Sequence, residues 1–124
     1  MHLKKVAHRD IKLENILMTS AVEPLECKLT DFGFASVLDE NHKFKDSLGS
    51  PNYMAPELIL RKPYNEKVDI WATGCVLYSM LCGMMAFDGE SKKELQDTIC
   101  NVTPEMKSGV WKKHITKNCK DFLL

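Results

Sequence analysis

Apolar residues crowd most densely between Val68 and Cys82, where Val68, Ile70, Trp71, Cys75, Val76, Leu77, Tyr78, Met80 and Leu81 leave almost no polar stripe. A helix that is apolar nearly all round is a buried one, so residues 68–82 predict a central post of the fold, stopped by Gly83. Two shorter runs, residues 16–18 and 26–30, read as strands, and the polar connection from Thr19 to Leu25, with Pro24, joins them as a hairpin. Ser91-Lys92-Lys93-Glu94 has the capping-box spacing and opens a helix through about Cys100. Thr103-Pro104-Glu105 predicts a short helical turn with proline in its first position. A last helix starts near Thr116 and still runs at Leu124. Residues 31–54 carry no sustained period. They hold Asp39-Glu40-Asn41-His42 and Gly49-Ser50-Pro51-Asn52, which predicts a long ordered loop, and such loops are usually functional. No internal repeat is present.

Composition narrows the classes. A chain of 124 residues suffices for one domain, burying about 65–70% of its surface. Its 44% hydrophobic content is ordinary for a globular chain. Seventeen basic and 17 acidic side chains give a net charge of +0, so charge supports neither a nucleic-acid partner nor an anionic membrane. Lys4-Lys5, Lys92-Lys93 and Lys112-Lys113 read as solvated surface. Five cysteines form no C-x-x-C pair, and His2, Lys4 and Lys5 interrupt any secretory leader at the start. Reduced thiols in a cytoplasmic protein are the expectation. The longest apolar stretch, Ile70 to Met80, is too short to span a bilayer.

Three short motifs carry the chemistry: His8-Arg9-Asp10-Ile11-Lys12-Leu13-Glu14-Asn15, then Asp31-Phe32-Gly33, then Ala55-Pro56-Glu57. Each alone is ordinary loop composition; their order and setting are specific. Together they resemble the C-terminal lobe of a eukaryotic protein kinase of the serine/threonine type. The resemblance implies a mainly α fold with a short β-hairpin, a long activation segment and the central buried helix 68–82. It makes residues 1–124 a partial kinase domain. The glycine-rich loop, the Val-Ala-x-Lys strand, the N-terminal lobe and the final helix lie outside it.

By the same resemblance, Asp10 accepts the proton of the substrate hydroxyl, and Lys12 offsets charge on the transferred γ-phosphoryl group. Asn15 and Asp31 supply hard oxygens for Mg2+, and Gly33 permits the turn that aims Asp31. Leu17 belongs to the nucleotide side, with Val76 and Met80 packing below it. The implied cofactors are ATP and Mg2+, and the implied partner is a protein with a serine or threonine acceptor. His8 reads as a buried structural histidine near Phe32. Lys12 two residues after Asp10, and the run from Gly49 to Glu57, resemble the serine/threonine pattern, with Ser50 bonded near Asp10 and Lys12. Glu14 resembles the acidic position that attracts substrate arginine, although an exposed glutamate explains it equally well.

Arg9 calls for an anion, often a phosphorylated residue in relatives. Asp46 stands where that residue often sits and is expected to pair with Arg9 without phosphorylation, while Ser47 is a candidate phosphosite. With Tyr64 to Trp71 and Trp111-Lys112-Lys113, this is similar to the calcium/calmodulin-dependent and calcium-dependent kinase group. Asp69 is similar to the family aspartate that accepts backbone N–H groups near the catalytic residues. Glu57 is expected as a buried carboxylate whose arginine partner lies beyond Leu124, at a cost of about 3–5 kcal/mol when unpaired. The polypeptide alone is therefore expected to be poorly stable, with little kinase activity. Two classes remain open: an enzyme, or a non-catalytic kinase-like module that binds a partner.

Overall fold

The computed structural model describes residues 1–38, 44–104 and 115–119. Strand β1 (Val6–Ala7) pairs antiparallel with β4 (Ser36–Val37), and β2 (Ile16–Met18) with β3 (Cys27–Leu29), forming two separate sheets of two strands. The second sheet is the expected hairpin, with Ile16 opposite Leu29 and Met18 opposite Cys27. The first was not expected, because two-residue strands are too short to show a period. It gives the 31–54 stretch its only strand among the described residues; Pro51–Tyr53 forms a 3-10 turn, and residues 39–43 lie outside the description.

Helices α1 (Pro56–Ile59), α2 (Lys67–Cys82) and α3 (Lys92–Asn101) follow. Proline at the first position starts α1, the preceding Ala55 being extended as a pre-proline residue should be. Helix α2 ends at Gly83, whose φ of 71° is left-handed and whose N–H reaches the Ser79 carbonyl at 2.9 Å. Helix α3 opens with the expected cap: Ser91 Oγ accepts the Glu94 N–H at 3.2 Å. Glu94 returns its carboxylate one residue earlier than a capping box does, accepting the Glu90 N–H at 2.9 Å. Thr103 and Pro104 are not helical, contrary to the expected turn, and Glu105 lies outside the described residues. Residues 117–119 are helical near the expected last helix; the rest of that stretch, and Trp111-Lys112-Lys113, lie outside.

The core gathers along one flank of α2. Ala72, Cys75 and Val76 pack with Ile11, Tyr53, Phe87, Leu95 and Ile99, while Val68 joins Ala55, Leu58 and Tyr64 in a second cluster. Trp71 stacks on Phe87, centroids 5.5 Å apart, and borders both clusters. The expectation that α2 is buried all round needs correction, since Ile70 is 52% and Met80 69% exposed. Apolar composition tells that a face seeks cover, and among the described residues nothing covers this one. For the same reason Met80 does not form a buried column beneath Leu17, which is itself 54% exposed. Among the described residues no helix is long and apolar enough to cross a membrane. All five cysteines are free, and burial pushes the Cys75 thiol up to about 12, which leaves it an inert packing group.

Candidate active site

The segment from His8 to Asn15 is fixed from below by one carboxylate. Asp69, fully buried in the first turn of α2, accepts the His8 N–H on Oδ2 and the Arg9 N–H on Oδ1, both at 2.8 Å. His2 adds a third bond, its Nε2 lying 2.7 Å from Oδ2. A buried carboxylate is tolerated only with such donors. The bond on the Arg9 amide also helps hold that residue at φ 68°, a left-handed conformation costly for a side-chain-bearing residue. Sequence reasoning found Asp69 but missed His2, whose partner stands 67 positions away and which belongs to no motif.

His8 is buried and structural, as expected. Its ring lies 5.0 Å from that of Phe32. Nδ1 accepts the Asp10 N–H at 3.3 Å, so Nε2 carries the proton and donates to the Thr30 carbonyl at 3.0 Å. Thr30 in turn donates its N–H and hydroxyl to the Asn15 carbonyl at 2.9 and 3.3 Å. These bonds dock the end of β3 against the 8–15 segment. Asp31 follows directly from the docked Thr30.

Asp10 is buried and surrounded by donors. Ser50 gives Oδ1 both its N–H and its hydroxyl at 2.9 Å, and Lys12 Nζ sits 2.9 Å from Oδ2. Lys12 also donates to Ser50 Oγ at 2.9 Å, closing the triangle expected from sequence. Asn15 turns its Nδ2 to the Asp10 carbonyl at 3.0 Å and more weakly to Oδ2 at 3.4 Å; its Oδ1 takes part in neither bond. Burial raises the Asp10 carboxyl, but the hydrogen bonds from Lys12 and Ser50 together outweigh it and hold the group below its ordinary value. The bond to Asp10 leads in raising Lys12, and the charge of Asp31 adds to it, which sets Asp31 within electrostatic reach of the pair.

Those directions define a pH profile. Asp10, depressed in the folded chain, stabilises fully above its ordinary 3.8, and that contribution is lost as pH falls through the lower folded value. Lys12, raised, stabilises fully below its ordinary 10.5, and its contribution is lost as pH rises through the higher folded value. The pair's share of stability should be flat from about pH 5 to 9. Urea midpoints measured across pH on the wild type and Lys12→Met check this. The variant should lose the alkaline fall and keep less of the protection against acid; an unchanged alkaline limb counts against the pairing.

Asp31 is exposed and left-handed, at φ 56°. Its Oδ1 accepts the Gly33 N–H at 3.2 Å. The turn strain expected at Gly33 thus falls on Asp31 itself. At 33 a Cβ would meet Asp31 Oδ1 at 3.0 Å, so a larger residue there would press on that carboxylate. Gly49 has both constraints, with φ 111° and a Cβ position 2.9 Å from the Arg9 carbonyl, so it lets Ser50 approach Asp10. Asn15 offers one hard oxygen, Oδ1, and Asp31 a carboxylate. Among the described residues no group of three or more His, Cys, Asp or Glu side chains could hold a metal ion. Hard oxygens of this kind are the donors magnesium prefers, and it takes most of its shell from phosphate and water. Leu17 stands on the hairpin with its side chain exposed.

Arg9 meets Asp46 at 3.7 Å, as expected, though the Asp46 side chain is 71% exposed. Glu57 differs from expectation. It is half-buried in the first turn of α1 and borders an open groove of about 560 Å3. Solvent reaches it there, and the cost of an unpaired buried carboxylate does not apply.

A family model described as Protein kinase domain matches residues 1–124. The chain is 40% identical over 124 residues to the SNF1-related protein kinase catalytic subunit alpha KIN12 of Arabidopsis thaliana, covering 98% of this chain and 23% of that protein. It is 40% identical over 122 residues to the serine/threonine-protein kinase PEPKR2 of the same plant, covering 98% and 25%. Serine/threonine protein kinase OSK3 of Oryza sativa subsp. japonica is 38% identical over 125 residues, covering 98% and 23%. The chain thus spans about a quarter of the length of the curated relatives it matches, 23% to 25%.

Proposed function

The chain belongs to the protein kinase domain family, and from that premise we propose that it is the C-terminal lobe of a serine/threonine kinase that transfers the ATP γ-phosphate to protein hydroxyls. Residues 31–54 are its activation segment and 8–15 its catalytic loop. The observation that carries the reading is the Asp10 carboxylate, oriented by Ser50 and Lys12, with Asn15 bonded to the same residue and the charge of Asp31 acting on Lys12.

Phosphoryl transfer demands positioning and charge compensation more than covalent chemistry. Asp10, held below its ordinary value, is a weak base. Such a carboxylate orients the attacking hydroxyl and takes its proton late, which suits a loose transition state. At rest Lys12 occupies Asp10 Oδ2. Moving Nζ toward incoming phosphate would free that oxygen for the acceptor hydroxyl, so one lysine both guards the base and offsets the transferred charge. Asn15 and Asp31 are the residues that would hold magnesium, which on binding draws charge from the phosphates.

Lys12 beside Ser50 supports the serine/threonine class. An aspartate, Asp46, stands opposite Arg9 where relatives often carry a phosphorylated residue, and its position, more than the strength of the pair, is what favours the calcium- and calmodulin-dependent group. Free thiols fit a cytoplasmic setting. Transfer from γ-labelled ATP by the intact protein tests the core of this. Label should appear on serine or threonine, and Asp31→Ala should cut transfer by about 100-fold or more. Label on tyrosine, or an Asp31→Ala protein as active as wild type, overturns the reading.

A further inference from the structure

Arg9 is covered: only 9% of its side chain is exposed. The one carboxylate that pairs with its guanidinium among the described residues is poorly placed to explain that, since Asp46 is 3.7 Å off and 71% exposed. An ion pair in that setting is screened by solvent and contributes little. Three other partners are closer fitted. The Phe34 carbonyl accepts Nε–H at 2.7 Å, the Tyr64 hydroxyl accepts Nη1–H at 3.4 Å, and the Phe44 ring lies under the guanidinium with its centroid 4.6 Å from Cζ.

Two of these partners form a unit. Phe44 and Tyr64 exchange both backbone hydrogen bonds, at 2.7 and 3.1 Å, in an isolated antiparallel bridge. Their rings pack 5.4 Å apart at 42°. Tyr64 is buried with Ala55, Leu58 and Val68, so this wall of the box is anchored in the core that carries α1 and α2. Burial outweighs the neighbouring Arg9 and raises the Tyr64 phenol, which keeps the hydroxyl a neutral acceptor at physiological pH.

We propose that Phe44 and Tyr64 clamp Arg9, and that this aromatic clamp, more than the Arg9–Asp46 ion pair, holds the chain around 44–50 against the 8–15 segment. Phe44 and Tyr64 are then positioning residues for Asp10, acting through Arg9 and through Ser50. That last step rests on the kinase reading; the clamp does not. Attraction of a cation to a ring face survives salt and needs no phosphate, so the segment is held by groups that signalling does not change.

Amide hydrogen exchange on the intact protein tests the clamp without reference to activity. Phe44→Leu keeps apolar bulk and removes the ring face, and should speed exchange of the Tyr64 amide by about tenfold or more. Phe44→Tyr keeps the face, and Asp46→Asn removes only the charge; both should stay within about threefold of wild type. Amides of α3, such as Ile99, should be unaffected throughout. The clamp is overturned if Phe44→Leu exchanges like wild type, if Asp46→Asn opens the bridge as far as Phe44→Leu does, or if α3 amides speed up equally. Phosphotransfer on the same proteins separates the two readings. A misassigned kinase shows no transfer with any variant while exchange still decides the clamp. In an active protein, Phe44→Leu should raise KM for the protein substrate and lower kcat, with Phe44→Tyr restoring both. An opened bridge with unchanged kinetics removes the positioning role.

Discussion

In the intact protein, and on the proposed function, Asp10→Asn is expected to lower kcat for phosphotransfer by about 10²–10⁴-fold, the range a positioned acid–base group contributes. The substitution is close to isosteric, so the Ser50 N–H and hydroxyl still find an oxygen where they now meet Oδ1. What disappears is the negative charge that, on the proposed reading, aligns the acceptor hydroxyl and receives its proton, together with the anion that Lys12 now faces at 2.9 Å. Nucleotide affinity should change little, because Asn15 and Asp31 are untouched and Lys12 becomes freer to meet phosphate. The signature is therefore a fall in kcat with KM for ATP within about threefold, as for an interaction made only in the transition state. Thermal unfolding must be measured beside the kinetics, since loss of the Lys12 partner removes part of the local stabilisation. A variant that keeps more than a tenth of wild-type kcat would remove Asp10 from the chemistry.

The site was legible in the sequence wherever its residues stand close together. Asp10, Lys12 and Asn15 share one short segment, and the links that bring Ser50 and Asp69 to it were expected from their motifs. The parts that were not legible share one property, a partner remote in sequence and no repeating pattern. His2 meets Asp69 across 67 residues. Phe44 meets Tyr64 through a single bridge in a stretch with no period. Strands β1 and β4 span two residues each, and α1 spans four. Elements so short owe their conformation to tertiary contacts, which outweigh local propensity. Helix α2 gives the opposite lesson. Its limits were read to within one residue, yet its composition could not say which flank Ile11, Phe87 and Ile99 would cover.

Asp69→Ala is expected to destabilise the chain by about 3–5 kcal/mol, within the range for leaving two buried backbone donors unsatisfied. The side chain is 1% exposed and accepts from the His8 amide, the Arg9 amide and His2. Truncation strands the two amides, each at about 1–3 kcal/mol when left unsatisfied in the interior. It also releases Arg9 from its left-handed backbone, so the 8–15 segment should open before the rest of the core. Asp69→Asn should restore little. One amide oxygen can serve one N–H, but the new NH2 then points at the other donor. His2→Ala, at a partly exposed ring, should cost only about 1 kcal/mol, leaving both backbone bonds in place. Urea unfolding gives the totals, and exchange at the His8 and Arg9 amides gives the location. If Asp69→Ala stays within about 1 kcal/mol of wild type, the segment is held by its own bonds to Thr30 and Ser50. The carboxylate beneath it would then be a bystander.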